Sequence, residues 1–583
     1  MGYDSNNWYF NPSETKLSVQ SAPMLQEKWR FQVTGWPPGT PVIGEGKVFV
    51  MATGATHAIQ LADGKPAWTR TDLPGTASIA YADGYVYVHG YAGPSLYKLK
   101  ASDGTTVWGP VASNPNTACD GMSSPIVGMG MVVVGHSCGM VETSPDSSVI
   151  SKARGGVEAF DTESGTRLWQ YYTVPESGED GAMVWSSVGI DLASKVVFAA
   201  TGNNYSLQGE NSDALHAIDA ISGERKWKTQ VHGDDTWSLF LARGGPDTDF
   251  GANPIIAEIG GKQVVADGDK GSNFYMFDRE TGAILSMREK LSASRNQANG
   301  GILMNGAFDG KYFYVVSNQP PNQAVLHAMD PAQELADVWP AVSYAKTTWG
   351  APAVANGVLV VPNDDDLYIL EAATGKQLQK FNTGGTIAAG SPAIVDGNVV
   401  VQSGMQYALD PTTKNNNLII CYSVPGSGDG TQGTGSTTGA AGGGAAAAGS
   451  GAASAGAGAS AMPGSPKFSA IYQDIIAGTG CNGGPSCHAG TVAGALKMTT
   501  PAEAYAALVG VKAMGTNIPP GGTDCRTTDL LRVAPNDPDH SLLVQKLEAA
   551  TPACGTRMPP GGMLTAPQLA QIRTWITSGA AND

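Results

Sequence analysis

Basic residues are scarce in this 583-residue chain: 35 Lys and Arg stand against 51 Asp and Glu, a formal net charge of −16. No basic run occurs anywhere. This excludes a nucleic-acid partner, because the phosphate backbone demands a clustered positive surface. Long apolar runs are missing too, and no stretch approaches the roughly 18 to 20 residues that span a bilayer, so no membrane span is expected. The start, Met1-Gly-Tyr-Asp-Ser-Asn-Asn7, lacks the charged beginning and apolar core of an export signal. No Gly-rich dinucleotide loop opens a helix, which leaves a nicotinamide cofactor without a candidate site. Charged residues amount to only 15%, whereas Gly reaches 76. Such a composition suits turn-rich β structure and low-complexity linkers better than helical bundles. The length itself exceeds what one core supports, so more than one folding unit is expected.

Residues 1–424 repeat themselves. Each unit has an alternating apolar strand pair around a turn, followed by a strand approximating Asp-x-x-x-Gly-x-x-x-Trp. The strand pairs fall at Thr40 to Thr53, Ala77 to Gly90, Met122 to Gly135, Val184 to Gly202, Gly251 to Asp269, Asn305 to Asn318, Gly350 to Pro362 and Ala389 to Gly404. The following strands place Trp68, Trp108, Trp169 and Trp227 at equivalent positions, with Ser286 and Gln379 in degraded later copies. A period of roughly 40 to 50 residues with short strands predicts an all-β eight-bladed propeller, since one small sheet cannot bury both its faces alone. The tryptophans are expected to pack between blades. Glu27-Lys-Trp-Arg-Phe-Gln-Val33 has the look of an outer strand without inner strands of its own, as when a ring closes by joining the two ends of the chain in one blade.

Residues 425–465 are almost all Gly, Ala, Ser and Thr. With too little apolar side chain to order itself, the segment reads as a flexible linker whose ends sit about 35 Å apart. Residues 466–583 differ again: Phe468 to Ile476, Pro501 to Leu508, Ser541 to Ala549 and Ala566 to Ser578 carry helical spacing, with Thr565 as a cap, predicting a small, mainly α domain.

Cysteines add two constraints. Cys119 and Cys138 lie almost symmetrically about the Gly128-Met-Gly130 turn, which suits a disulfide across a hairpin, the alternative being two buried thiols. In Gly480-Cys-Asn-Gly-Gly-Pro-Ser-Cys-His-Ala-Gly490, two thiols are followed at once by an imidazole, the set that covalent haem attachment uses. Five residues separate Cys481 from Cys487, where two are usual. Arg557-Met-Pro-Pro-Gly-Gly562 offers a thioether as a second axial ligand. On these residues the C-terminal domain resembles bacterial cytochromes c. The resemblance implies a heme c attached at Cys481 and Cys487, with iron held by His488 and Met558. The alternative is a haem-free helical domain with a Cys481–Cys487 disulfide and Met558 in its core. Cys525 and Cys554 are expected to pair. Haem attachment requires export, so a periplasmic or otherwise exported protein is expected, its signal peptide absent from this chain.

The stretch Val184 to Ser206, together with His232-Gly-Asp-Asp-Thr-Trp237, Gly245-Pro-Asp-Thr-Asp-Phe-Gly-Ala-Asn-Pro254 and Asp267-Gly-Asp-Lys270, resembles the pyrroloquinoline quinone (PQQ) alcohol dehydrogenases and, within them, the polyvinyl alcohol dehydrogenases. The resemblance implies that Trp185 lies flat against the quinone. It also implies that Asn203 and Asp249 hold calcium, that Asp249 is the catalytic base and that Lys270 hydrogen-bonds the quinone oxygens. A further calcium ligand is a glutamate in this family; Val141 occupies its place here and Glu142 comes one residue late. Adjacent paired cysteines are absent, and Met304 stands where a tryptophan is expected. The implied activity is a quinohaemoprotein dehydrogenase that oxidises an alcohol and passes electrons through the tethered haem to a downstream acceptor. The competing expectation is a non-catalytic propeller that binds proteins or polymers.

Overall fold

The computed structural model describes residues 4–429, apart from 92, 115–118, 139–152, 238–245, 294–298, 322, 388 and 406–411, and, from the C-terminal part, 468–472, 500–513, 530–534, 537–548, 554, 566–577 and 580. The chain divides into two compact units, Met1–Thr438 and Gly439–Asp583.

The first unit is the expected eight-bladed propeller, eight separate sheets of at least four strands, antiparallel except where Phe10–Asn11 adds in parallel to Ala353–Ala355. All eight sequence-derived strand pairs are the first two strands of a blade, as in Val42–Gly44 with Lys47–Met51 and Gly189–Asp191 with Val196–Ala200. First strands touch one another around the ring and so lie nearest its axis. Closure occurs where the sequence indicates. Gln26–Gln32 forms the outer strand of the last blade, pairing antiparallel with Leu418–Ser423 and placing Trp29 opposite Cys421.

The repeat motif has a direct physical reading. Each outer-strand indole N–H donates to a backbone carbonyl of the next blade: Trp68 to Ala101, Trp108 to Thr162, Trp169 to Ala220 and Trp227 to Arg279. The ring lies on the glycine of that blade's Asp-x-x-x-Gly turn. A Cβ added at Gly104 would stand 2.9 Å from the Trp68 ring, and Gly104 also has φ +73°, so only glycine suits both demands. Trp29 and Trp339 dock in the same way, on Leu61 and Ala372, Trp29 thereby linking the closing blade to the first.

Two features of the ring have no counterpart in the sequence expectations. One is a polar collar at the entry to the first strands. The backbone N–H of Ser391 donates to Thr40 Oγ1, Thr40 to Ser78 Oγ, Ser78 to Ser124 Oγ, Ser124 to Ser187 Oγ, Ser187 to Asn253 Oδ1 and Asn253 to Asn305 Oδ1, at 2.8 to 3.1 Å. Ala351 holds the remaining position and interrupts the chain; its N–H donates instead to the Gly390 carbonyl. The other feature is a strap. Carbonyls of Ser5, Asn6, Trp8 and Tyr9 accept from Ile190, Ile256, Phe308 and Val354, so the segment crosses the inner strands of four successive blades. It continues through Asn11, whose Nδ2 donates to the Ile394 carbonyl, and Glu14, whose carboxylate accepts from Gly397 N–H.

Strap and collar meet at Tyr9. Its buried hydroxyl accepts from Asn253 Nδ2 at 2.8 Å and from Asn305 Nδ2 at 2.7 Å. Substituting Tyr9→Phe keeps the ring and removes the acceptor from both amides. Leaving buried donors unmet costs about 1–3 kcal/mol, so a lower chemical-denaturation midpoint with an unchanged slope is expected, and an unchanged midpoint would show that water replaces the hydroxyl.

In the second unit four helices are described, Phe468–Ile471, Pro501–Leu508, Leu542–Glu548 and Ala566–Thr577, each within a predicted helical segment. They bury Phe468, Leu508, Val544, Ile572 and Trp575 in one cluster. Thr500 caps the second helix by accepting from Glu503 N–H. The unit is thus helical as expected; the cap Thr565 and the haem residues Cys481, Cys487, His488 and Met558 lie outside the described residues, as does most of the linker. Among the described residues no helix is long and apolar enough to cross a membrane.

Candidate active site

The site grows from the loops that enter the first strands and leave the second strands of the fourth and fifth blades. Backbone bonds stitch these segments together: Gly202 N–H donates to the Met183 carbonyl, Ala182 N–H to Asn203, and Lys270 N–H to Asp249. Asp249 and Asn253, and likewise Trp185 and Ser187, are close neighbours in sequence, so the collar holds the base of both loops. Gly202 is required by proximity alone. A Cβ there would lie 2.9 Å from both Asp249 Oδ2 and Trp185 Nε1.

Four residues expected in the site come together. Trp185 Nε1 donates to Asp249 Oδ2 at 2.8 Å. The Lys270 ammonium stands 2.7 Å from Asp247 Oδ1 and 2.8 Å from Asp249 Oδ1, and about equally far from two indoles, 5.8 Å from the ring of Trp185 and 5.9 Å from that of Trp237. Asn203 is positioned through its Nδ2, which donates to the carbonyls of Trp237 and Asn204 at 2.6 and 2.9 Å, so Oδ1 is the side-chain atom with lone pairs for a cation. Glu142 and Val141 lie outside the described residues. Met304 packs beside Leu303, Trp349, Met405 and Trp185, an apolar neighbourhood that accepts a thioether where the resemblance implies an indole. The expected Cys119–Cys138 disulfide is present, and its sulfurs pack with Met183, Tyr205 and Trp185.

Carboxylates outnumber the cation. Asp213, Asp235, Asp247 and Asp249 are all buried. Neither oxygen of Asp213 meets a donor at hydrogen-bond geometry among the described residues, nor does Asp235 Oδ1 or the buried Asn204 Oδ1. Burial, reinforced by the charges of Asp235 and Asp249, raises Asp213 well above the usual carboxylate range. Burial and Asp249 push Asp235 up to about 7. Burial pushes Asp247 up to about 8, against the pull of Lys270. Burial opposes the charge on Lys270, but Asp247 and Asp249 outweigh it and hold the ammonium protonated. Buried oxygens without donors, clustered around a net negative charge, are what a hard divalent cation seeks. The paired indoles beside one ammonium suit a flat, oxygen-rich aromatic anion. The residues present therefore fit both groups that the sequence resemblance implies.

Asp213, Asp235, Asp247 and Trp237 were not assigned from sequence. Asp235, Trp237 and Asp247 stand in the quoted motifs, and the Asp-x-Asp spacing at 247–249 was the available signal. Asp213 has no local signal; the register of the third strand of the fourth blade, Ala214–Asp219, brings it in, its N–H donating to the Gly202 carbonyl at 3.2 Å.

A pH effect follows. Asp235 and Asp247 have native values above the roughly 4 of an unfolded carboxylate, so the native state binds more protons than the unfolded chain between those values. Their stabilising contribution is complete below about pH 4 and is lost as pH rises through about 7 and about 8. In the presence of a chelator, the melting temperature is expected to fall between about pH 5 and about pH 8.5, and added calcium to restore it at the upper end. A flat profile under chelation would show these carboxylates already ionised and solvated.

The chain resembles known proteins over the same region. Residues 108–303 match the family model described as the β-propeller domain of glucose/ethanol/alcohol dehydrogenases, a span containing Trp185, Asn203, Asp249 and Lys270, and residues 21–176 match that of the outer membrane protein assembly factor BamB. The chain is similar to the polyvinylalcohol dehydrogenase of Pseudomonas sp., 27% identical over 500 residues, covering 73% of this chain and 76% of the relative. It is also similar to the polyvinylalcohol dehydrogenase of Sphingopyxis sp. strain 113P3, 25% identical over 491 residues, 70% of this chain and 74% of that one. Among solved structures, the quinohemoprotein alcohol dehydrogenase of Comamonas testosteroni superposes with a TM-score of 0.60 at 19% identity, covering 73% of this chain and 80% of its own, a likeness of fold. The similarities to the two polyvinylalcohol dehydrogenases extend over most of this chain.

Proposed function

We propose that this chain is an exported quinohaemoprotein dehydrogenase that oxidises an alcohol with PQQ and calcium and passes the electrons to a tethered heme c. The observation that carries the reading is the meeting of Trp185, Asp249 and Lys270 at hydrogen-bond distance within one buried, acid-rich site. A scaffold propeller has no use for such convergence, since burying charges is costly unless they serve each other or a ligand. The polyvinylalcohol dehydrogenases are the relatives sharing most of the chain, so a secondary alcohol, small or polymeric, is the substrate class assigned.

When bound, PQQ supplies a two-electron hydride acceptor, and calcium the Lewis acid that polarises its carbonyl. Asn203 and Asp249, with Glu142, would hold the calcium. Asp249 Oδ takes the proton of the substrate hydroxyl as general base. Trp185 orients that carboxylate through its N–H and offers the indole face as a floor. Lys270 supplies fixed positive charge where anionic oxygen gathers, already in place before reaction. Asp247 keeps Lys270 paired when Asp249 is protonated, so the ammonium does not lose both partners during turnover.

Cys481 and Cys487 would carry the heme c, and His488 and Met558 would hold its iron. The Gly/Ala/Ser-rich 425–465 linker keeps that acceptor at high effective concentration. The downstream electron acceptor is then a soluble or membrane redox partner outside this chain.

The test is a calorimetric titration of PQQ into calcium-loaded protein, with Trp185→Ala as control, alongside an absorption spectrum of protein co-produced with haem-maturation machinery. Saturable quinone binding lost in the variant, and a covalently retained haem band, are the expected results. Haem without quinone would leave a docking propeller on an electron-transfer domain, and absence of both would leave the scaffold reading.

A further inference from the structure

A second site lies away from the indoles, where the third and fourth blades adjoin. Here a cavity of about 440 Å³ is lined by Arg154, Tyr172, Asn211, Arg225 and Lys228, with Glu210 at its rim. Three cations in one depression are unusual for a chain with net charge −16.

Local structure explains how they converge. Lys228 pairs with His216 and Arg225 with Ile218, residues of equal parity, because a bulge falls between the two cations. Without it, side chains three apart would point to opposite faces of the strand. Arg154 enters from the segment before Gly156–Asp161, its guanidinium 3.8 Å from the centre of the Tyr172 ring and its Nη2 donating to the Val174 carbonyl at 3.0 Å. Arg154 Nε is buried without an acceptor among the described residues.

Counter-charge is thin. Arg225 donates to the amide oxygen of Asn211 at 3.4 Å, which also accepts from Lys228 at 3.0 Å, and it lies against the Tyr171 hydroxyl, a neutral partner. Glu210 is 3.7 Å from Lys228 with its side chain 90% exposed, a contact of little energetic weight in water. Glu179 stands behind Asn211 and is already occupied by that residue's N–H and Nδ2. Burial and the neighbouring Arg225 push Lys228 below the ordinary lysine value, with Glu210 and Glu179 only partly offsetting them. Two guanidinium groups and an ammonium around an aromatic wall, with a buried N–H lacking an acceptor, form a receptor for a small oxyanion.

We infer that the Arg154–Arg225–Lys228 cavity binds a small anionic ligand through a carboxylate or phosphate group, with Arg154 as the forked donor and Tyr172 as the flat wall. The site is independent of the quinone reading, because none of its lining residues belongs to the candidate active site.

The test is calorimetry on the full chain at low ionic strength, with succinate and inorganic phosphate as probes and chloride as control. Saturable one-to-one binding of either probe, in competition with the other, is expected. Affinity should fall about tenfold or more in Lys228→Met and in Arg154→Lys, since the latter keeps the charge and loses the fork. Preference for succinate assigns a carboxylate ligand, and preference for phosphate a phosphorylated one. Absence of saturable binding by both probes would overturn the proposal. So would equal binding in Arg154→Lys and wild type, which would reduce the cavity to diffuse attraction. Circular dichroism on each variant separates loss of the site from loss of the blade.

Discussion

Asp249→Asn is expected to lower alcohol turnover by a factor of about 10² to 10⁴, the range associated with a positioned general base, while the fold stays intact. The substitution is nearly isosteric. The amide oxygen still accepts from Trp185 Nε1, and Lys270 retains Asp247 at 2.7 Å, so the site's shape and its cation survive. What disappears is a group able to take a proton. Asp247→Asn is the matched comparison, because it removes the other carboxylate beside the same ammonium. If Asp249 is the base, its variant should lose turnover far more than the Asp247 variant, mainly in kcat, with quinone binding by both retained in calorimetry. Equal losses would mean that the pair acts only by charge, and unchanged turnover in Asp249→Asn would remove Asp249 from the chemistry.

Lys270→Met is expected to have the largest effect on stability. The ammonium is buried between two carboxylates, and removing one partner of a buried ionic cluster typically costs about 3–5 kcal/mol, because uncompensated charge stays behind. Protonation of Asp247, whose carboxyl burial pushes up to about 8, softens the loss at low pH, so the variant should be closest to wild type near about pH 5 and furthest from it near about pH 8. Lys270→Arg keeps the charge and separates this electrostatic cost from any special demand for a compact ammonium. Urea unfolding at both pH values, under chelation and with calcium, reads the difference. A uniform loss across pH would indicate packing of the aliphatic stem in place of charge compensation.

These two residues also mark how far the sequence could be read. Asp249 and Lys270 sit in motifs whose residue types and order were legible, and the strand pairs around them alternate with a period of two. Blade number, ring closure through Trp29 and the Cys119–Cys138 bridge were legible for the same reason, since each follows from a local pattern repeated or mirrored along the chain. Asp213 was not, because its place depends on a third strand whose register is fixed by packing. The collar escaped notice as well: Thr40, Ser78, Ser124 and Ser187 look like ordinary residues before strands, and only their spacing around a closed ring turns them into one hydrogen-bonded line. The strap is harder still, for Trp8 and Tyr9 belong to no repeat, and their partners lie hundreds of residues away.

That distance sets an order of assembly. Residues 5 to 14 leave the ribosome before any blade exists, yet the bonds described for them reach blades four to eight, across separations of up to 383 residues. The outer strand at Gln26–Gln32 must likewise wait for Leu418–Ser423. Residues 5 to 14, made before any blade, are therefore among the last to find their places, and a growing chain carries an open arc until the eighth blade arrives. Contacts of such long range are slow to form, because loop-closure entropy is lost before the contacts compensate for it. Refolding followed by Trp8 and Trp29 should lag behind the gain of β structure, with sealing of the circle as the final, rate-limiting event.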